Sequence, residues 1–414
     1  MAKHQNMIDT KQKQSLYDVV IVGAGMSGSL LALSLLMKKP SLKVLLLDEN
    51  EPRQAQSTVK NPSFDARCIA LSIGSVNLLQ QLGLWKEVAP AAQAIEQIQV
   101  SDRGHYGALD LTPDIEGEAF GYVVELATVG QVIARALARL STLTMLYNVS
   151  LKNIQQSQTF VVCELSSQQQ IMAKLCIGAD GSESQVRTLA KIRYQVDDYE
   201  RSAVICNVAC KAHHNIAYER FTHHGPIALL PLKNDLFSVV YCIHNNNVEY
   251  INSLSDSDFL VHLQQQFGFR AGVFTAAGAR DIYPLTLLTS DYPLAHRVIC
   301  IGNAAHTLHP VAGQGFNLGL RDVFVLSDII VNTKVEDIGT YSMLSQYWDN
   351  RQNDQQKTIF MTDSLVRIFS NQYSVLSLPR NVGLQAMNLF PFLSQPLVDQ
   401  AKGQFNLFNR ERLS

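Results

Sequence analysis

Six residues near the start of the chain, Gly23-Ala24-Gly25-Met26-Ser27-Gly28, restrict its fold more than any other feature. Glycines at this spacing are weak evidence alone, so their context matters. Tyr17 to Val22 is a β-branched run of the kind found in a strand buried on both faces. Ser29 to Lys38 predicts a helix, and Lys43 to Leu47 predicts a second buried strand ending at Asp48. In this strand–loop–helix–strand order, Gly23 allows the tight turn and Gly25 lets the backbone approach a pyrophosphate. Gly28 lets the helix pack closely on the strand. Asp48 falls twenty residues after Gly28, where a carboxylate accepts hydrogen bonds from ribose hydroxyls. An acid there disfavours a 2′-phosphate, so the expected nucleotide is FAD or NAD rather than NADP.

Two later loops decide between these. Ala173 to Ala179 predicts a strand running into Asp180-Gly181-Ser182-Glu183-Ser184-Gln185-Val186-Arg187. Arg297 to Gly302 predicts another buried strand. It leads through Asn303, His309 and Pro310 into a glycine-rich loop that opens a helix at about Gln314. Backbone N–H groups converge at such a helix start and hold partial negative charge. Three loops at strand ends, spread over the chain, suit one long cofactor with adenine, pyrophosphate, ribityl and ring sections. That favours FAD.

Composition narrows the partners. Of 414 residues, 47% are apolar and 17% charged, with a net charge of −2, which provides no basic field for nucleic acid. A lipid-like substrate or a membrane surface fits this balance better. The seven cysteines are scattered with no C-x-x-C pair, as expected in a reducing compartment. Residues 1–15 are polar, lack the apolar core of a secretory signal and are expected to be a disordered tail. Val19 to Met37 is long and apolar enough to imitate a membrane span, but its three glycines and three serines argue against one. The apolar stretch Val375 to Val398 is interrupted by Pro379, Arg380, Pro391 and Pro396. It is expected to lie on a membrane or to cover a hydrophobic opening. His213-His214 and His223-His224 have no carboxylate or cysteine frame at ligand spacing, so no metal site is expected. Cys206 and Cys210, four apart on a predicted strand, read as small apolar residues on one face.

With these motifs in place, the chain resembles the group A flavoprotein aromatic hydroxylases. Three of their fingerprints are present: Gly23-x-Gly25-x-x-Gly28, the Asp180-Gly181 motif ending at Arg187, and Gly302-Asn303 followed by His309-Pro310. Within that group it is most similar to the ubiquinone-biosynthesis hydroxylases. Arg67-Cys68-Ile69-Ala70-Leu71-Ser72, Leu82-Gly83-Leu84-Trp85 and Thr307 to Asp322 carry this likeness over roughly residues 17 to 390. The segment Val100 to Gly107 points to 2-octaprenyl-6-methoxyphenol as substrate. One departure is Asn303, where the wider family has aspartate. Its amide oxygen can still accept from a ribityl hydroxyl.

The resemblance implies an α/β fold: an FAD-binding Rossmann-like domain of the para-hydroxybenzoate-hydroxylase type, an inserted mixed β-sheet substrate domain and a C-terminal helical segment. The FAD-binding domain would be discontinuous, at 16–94, 120–195 and 288–345. The substrate domain would take 95–119 and 196–287, and the helical region 346–414. FAD would be held by Gly23, Gly25, Gly28, Asp48, Arg67, Gln131, Asp180, Gly302, Asn303, Pro310, Gly313, Gln314, Gly315 and Asn317. Arg67 is expected at the junction of the two domains. Gln131 lies on an amphipathic helix whose apolar face is Val129, Val132, Ile133, Ala136, Leu137 and Leu140. His309 is expected to position rather than transfer protons, and no side chain is assigned as catalytic. His105 and Tyr106 are candidates for the substrate side.

The implied reaction is NAD(P)H reduction of FAD, addition of O₂ at flavin C4a and oxygen transfer to the ring of a polyprenylated phenol. The implied setting is cytoplasmic, peripheral at the inner face of the membrane and within a multiprotein ubiquinone-biosynthesis assembly. Two alternatives stay open: a sibling hydroxylase acting at another ring position, and a non-catalytic flavin-binding scaffold. A halogenase would carry W-x-W-x-I-P, and the only tryptophans are Trp85 and Trp348.

Overall fold

The computed structural model describes residues 16–51, 67–103, 107–113, 115, 117–211, 215–222, 225–310, 313–369, 385–388 and 391–403. The proposed tail at 1–15, His105, Tyr106, both histidine pairs and, within 375–398, residues 375–384 and 389–390 lie outside the described residues.

The first strand, Leu16–Val22, forms the middle of an eight-stranded sheet. Its central order is Val298–Cys300, Gln170–Gly178, Leu16–Val22, Val44–Leu47 and Leu143–Leu146, all parallel. Side chains of a strand alternate between faces. Here Val19 and Ile21 therefore join one apolar cluster, while Val20 and Val22 join another. Both clusters are covered, which is why these strands read as continuous apolar runs. Helices Met26–Lys38 and Gln314–Asn332 cover one face, and Val186 from the short helix Gln185–Leu189 covers the other. The apolar run Val19 to Met37 thus resolves into a strand, a glycine turn and a helix. Among the described residues no helix is long and apolar enough to cross a membrane.

The second sheet has nine strands. Its main order is His306–Thr307, Asp281–Thr289, Gln195–Cys210, Leu236–His244, Gly225–Leu232, Ile216–Thr222, Gln97–Asp102 and Ala108–Leu111. The parallel pairing of Gln97–Asp102 with Ile216–Thr222 ties the early segment into the later one. Helix Asp256–Phe267 closes one face by burying Phe259, Leu263 and Phe267 against Val204, Val239 and Tyr241. Cys206 and Cys210 lie buried in that same cluster, and all seven cysteines are free thiols. Strand Gln195–Cys210 is 16 residues long and bulges between Asp198 and Arg201, where Glu200 has φ +53°. A small third sheet joins Cys68–Ser72, Gly121–Glu125 and Gln93–Ile95.

The described residues of the C-terminal region are mainly helical. Tyr341–Phe369 packs along Gln314–Asn332. Pro391 opens the helix Pro391–Lys402, where its missing N–H costs nothing. Pro396, expected from sequence to break the segment, lies within that helix. Val398 joins Ile95, Leu109 and Leu232 in an apolar cluster.

Candidate active site

Three strand ends meet at one edge of the parallel sheet. Gly23 N–H donates to Leu47 O at 2.8 Å, Ala179 N–H to Val22 O at 2.8 Å, and Ile301 N–H to Gly178 O at 2.9 Å. The glycine loop, the Asp180 loop and the Gly302 loop are therefore laid side by side. Gly23 has φ +102°, and a Cβ there would come within 2.5 Å of Ala179 O, so both its conformation and its packing require glycine. Gly28 is needed for contact alone, since a Cβ would lie 1.9 Å from Gly23 O. Gly25 caps helix Met26–Lys38 without any side-chain hydrogen bond.

Asp48 sits at the end of the second strand, half-buried. Its Oδ2 accepts from Ala24 N–H at 2.6 Å and its Oδ1 from Asn50 N–H at 2.8 Å. It thus orders the glycine loop. The Asp180 carboxylate caps helix Gln185–Leu189, accepting from Ser184 Oγ at 2.5 Å, Gln185 N–H at 2.8 Å and Val186 N–H at 3.1 Å. At the other end of the same motif, Arg187 is 3% exposed and donates to Ala304 O at 2.8 Å and Ser182 O at 2.6 Å. This motif therefore locks the Gly302 loop onto the sheet.

Gly302 has φ +56°, and a Cβ there would meet Ser27 Oγ at 2.6 Å, which brings the two glycine loops into contact. Asn303 is exposed at the tip of the turn. Further on, Gly313 (φ +60°) caps helix Gln314–Asn332, again with no side-chain bond, and Pro310 O accepts from its N–H at 3.1 Å. Gln314 is 3% exposed, while a Cβ on Gly315 would meet nothing within 4 Å. Asn317 points inward. Its Oδ1 accepts from Ser72 N–H at 3.0 Å and Ser75 Oγ at 2.7 Å, and its Nδ2 donates to Ala70 O at 2.9 Å and Gly313 O at 2.8 Å. Asn317 therefore staples the Cys68–Ser72 strand to the helix start.

Arg67 places its guanidinium 5.0 Å from the Tyr283 ring, joining the strand Cys68–Ser72 to strand Asp281–Thr289 of the second sheet. Gln131 is exposed on helix Leu126–Ala138, on the side away from its apolar face. His309 is 1% exposed, edge-on to Tyr199 with ring centres 5.2 Å apart, and its Nε2 lies 3.8 Å from Cys242 Sγ. Burial, with the Arg201 charge adding and Asp363 opposing, lowers His309 to about 3, so its imidazole is neutral at physiological pH. Tyr199 donates to Asp363 Oδ1 at 3.0 Å, and burial first and Asp363 second raise its phenol.

Sequence reasoning gave no role to Asp322, which is fully buried. Its Oδ2 accepts from His306 Nε2 at 2.7 Å and Gly302 N–H at 3.3 Å; its Oδ1 accepts from Arg351 Nε at 2.8 Å and Gln355 Nε2 at 2.9 Å. Burial opposes its charge, but the Arg351 guanidinium and then His306 outweigh this and hold the carboxyl well below the usual range. The available signal was Arg321-Asp322 inside the otherwise apolar run Leu318 to Leu326. Charges there need partners.

Two glycine-capped helix starts, three contiguous strand-end loops and a second sheet beside them define a dinucleotide-binding enzyme of the flavoprotein hydroxylase class. The family described as "FAD binding domain" matches residues 16–360. The ubiquinone hydroxylase UbiL of Rhodospirillum rubrum is 32% identical over 401 residues, covering 96% of this chain and 92% of that protein. The 3-demethoxyubiquinol 3-hydroxylase of Escherichia coli K12 is 31% identical over 392 residues, covering 93% and 98%. Among solved structures, p-nitrophenol 4-monooxygenase PnpA of Pseudomonas putida shares the fold, with a TM-score of 0.75 at 17% identity over 94% of this chain and 100% of that one. The chain belongs to the FAD-dependent ubiquinone-biosynthesis hydroxylases.

Proposed function

We propose that this protein hydroxylates the ring of a polyprenylated phenol, most specifically 2-octaprenyl-6-methoxyphenol, with NAD(P)H and O₂ as co-substrates. One observation carries the reading: the segment from Val298 to Gly315 belongs to both halves of the molecule. At its start, Val298–Cys300 is a strand of the nucleotide sheet. A few residues later, His306–Thr307 pairs with Leu288 and Thr289 of the second sheet. The helix start at Gly313 then lies against Ala70. A cofactor laid along the three loops would bring its far end to the seam between the sheets, where Arg67 meets Tyr283 and Tyr199 meets His309.

The residues fit FAD. Neither glycine cap gives its helix N–H groups a side-chain acceptor, and the space in front of Gly315 is open. Gly23, Gly25 and Gly28 would take the pyrophosphate, Asp48 the adenosine ribose and Asn303 a ribityl hydroxyl. The Gly313–Gly315 helix start would face the negative pyrimidine edge of reduced flavin. Bound FAD supplies the electron transfer and oxygen activation that no side chain can. The chain's part is to hold the phenol ring at the seam and exclude water, with the neutral His309 and the Tyr199 ring as walls. Membrane-face contact and a place in a multiprotein assembly belong to the same reading, because a polyprenyl substrate is carried in lipid.

The likeness to a 3-demethoxyubiquinol 3-hydroxylase supports a second reading, the same chemistry at another ring position. Lipid mass spectrometry on an aerobically grown strain lacking the protein separates the two. Accumulated 2-octaprenyl-6-methoxyphenol supports the first, and a different unhydroxylated intermediate supports the second. Normal quinone with no new intermediate, together with a purified yellow protein whose NAD(P)H oxidation no phenol stimulates, would refute both and leave a flavin-binding scaffold.

A further inference from the structure

The Asp322 carboxylate divides its two oxygens between two elements. Oδ2 faces the cofactor loop, taking Gly302 N–H and His306 Nε2, and Oδ1 faces the C-terminal helix, taking Arg351 and Gln355. The charges continue beyond it. Arg351 also pairs with Asp354, and Asp354 accepts from Arg321 Nε at 2.8 Å and Nη2 at 3.2 Å, with Thr358 Oγ1 at 3.2 Å from that same Nη2. Arg321 is the neighbour of Asp322 on Gln314–Asn332, so two acids and two guanidiniums close a ring between two helices. Side-chain exposures are 0% for Asp322 and Arg351, 2% for Arg321 and 10% for Asp354. A buried ring of this kind adds little net stability compared with well-packed apolar residues, but it fixes register. The register it fixes here is that of Gly302 and Asn303 against the helix Tyr341–Phe369.

We propose that Asp322 is a positioning residue for the FAD loop, set in place by Arg351 and Gln355, so that cofactor binding and docking of the C-terminal helix are coupled. This rests on the reading that Gly302 and Asn303 contact FAD. The loop has two anchors, Arg187 on Ala304 O and Asp322 on Gly302 and His306, with exposed Asn303 between them. Loosening the second anchor lets the tip swing while the sheet stays intact. Linkage makes the effect reciprocal: if helix docking tightens FAD, then FAD must protect the docked helix by the same factor.

The test uses the full-length protein stripped of flavin and titrated with FAD by fluorescence quenching, with hydrogen exchange followed at residues 347–358. In the wild type, FAD is expected to slow exchange across 347–358. Gln355→Met, which removes one donor and no charge, is expected to weaken FAD about tenfold, within the usual range of coupling between sites. His306→Leu should do the same, while His306→Gln, which keeps a donor toward Oδ2, should restore binding to near wild type. A role confined to folding would lower the melting temperature of the apoprotein in all three and leave FAD affinity alone. That result overturns the proposal, as does wild-type protein that binds FAD with unchanged exchange in 347–358. Wild-type protein that takes up no flavin would instead overturn the functional reading on which the proposal rests.

Discussion

Replacing Gly315 by alanine should separate what the glycine does for the fold from what it does for the cofactor. The residue is helical, and a Cβ built on it meets nothing within 4 Å, so the protein has no steric objection to the change. Alanine is favoured over glycine in a helix by up to about 1 kcal/mol, and somewhat less in a first turn, so a gain of roughly 0.5 kcal/mol is expected. Unfolding entropy of about 2.1 cal/mol/K per residue over 414 residues is about 0.9 kcal/mol/K. The apoprotein should therefore melt at an unchanged or slightly higher temperature. The new methyl stands where the flavin is proposed to approach the helix N–H groups, so FAD affinity should fall at least tenfold, or about 1.4 kcal/mol. Gly28→Ala is the contrasting control. Its Cβ would sit 1.9 Å from Gly23 O, so helix and strand must separate and the protein should lose solubility outright. The assays are thermal melting of the apoprotein and FAD titration by fluorescence quenching. If Gly315→Ala binds FAD within twofold of wild type, the helix start does not face the cofactor and the proposed orientation is wrong.

Two further outcomes follow from buried polar groups. Asn317→Ala strips Ser72 N–H of its acceptor and Ala70 O and Gly313 O of their donor, while Ser75 Oγ keeps Ser72 Oγ at 3.2 Å. The expected loss is about 3 kcal/mol, read as a drop in melting temperature at saturating FAD; a loss under about 1 kcal/mol would show the staple to be dispensable. His309 is lowered to about 3 in the folded protein against about 6.5 unfolded, so between those values the unfolded chain binds more protons and stability rises with pH. Acidifying from pH 7 to 5 should therefore remove about 2 kcal/mol from this group, and His309→Phe should flatten that part of the profile.

The nucleotide half of the molecule was legible because its demands are local. A β-branched strand, a turn that must approach a neighbouring strand and an acid at the next strand end each leave a mark within a few residues. The expected strand Ala173–Ala179 is Gln170–Gly178, and the helix expected from about Gln314 starts there. Side-chain roles were less legible. Asn317 and Asp180 lie in recognisable cofactor motifs, yet each spends its hydrogen bonds on the protein, Asn317 across 245 positions of sequence to Ser72 and Asp180 on its own helix start. Motif spacing carries no information on which way such a side chain turns. Asp322 was harder still, because its partners Arg351 and Gln355 lie 29 and 33 residues away on another helix.

The two ends of the proposed cofactor cradle are thus built from different materials. At Gly23 and Gly28, the proposed pyrophosphate end, the backbone is held by clashes that any side chain would create, so this end has little freedom to adjust. At Gly302 and Asn303 the turn is held through a carboxylate and a histidine whose partners sit on a separate helix. A clash cannot be relaxed by a small motion, whereas a set of hydrogen bonds can lengthen and re-form. The pyrophosphate end should accordingly be rigid with or without ligand, and whatever adjustment the site makes should be concentrated where the Gly302 loop, the second sheet and the C-terminal helix meet. That is also where a bulky, apolar phenol would have to enter, so a rigid nucleotide anchor beside a hydrogen-bonded seam suits an enzyme that keeps its cofactor while admitting and releasing a lipid.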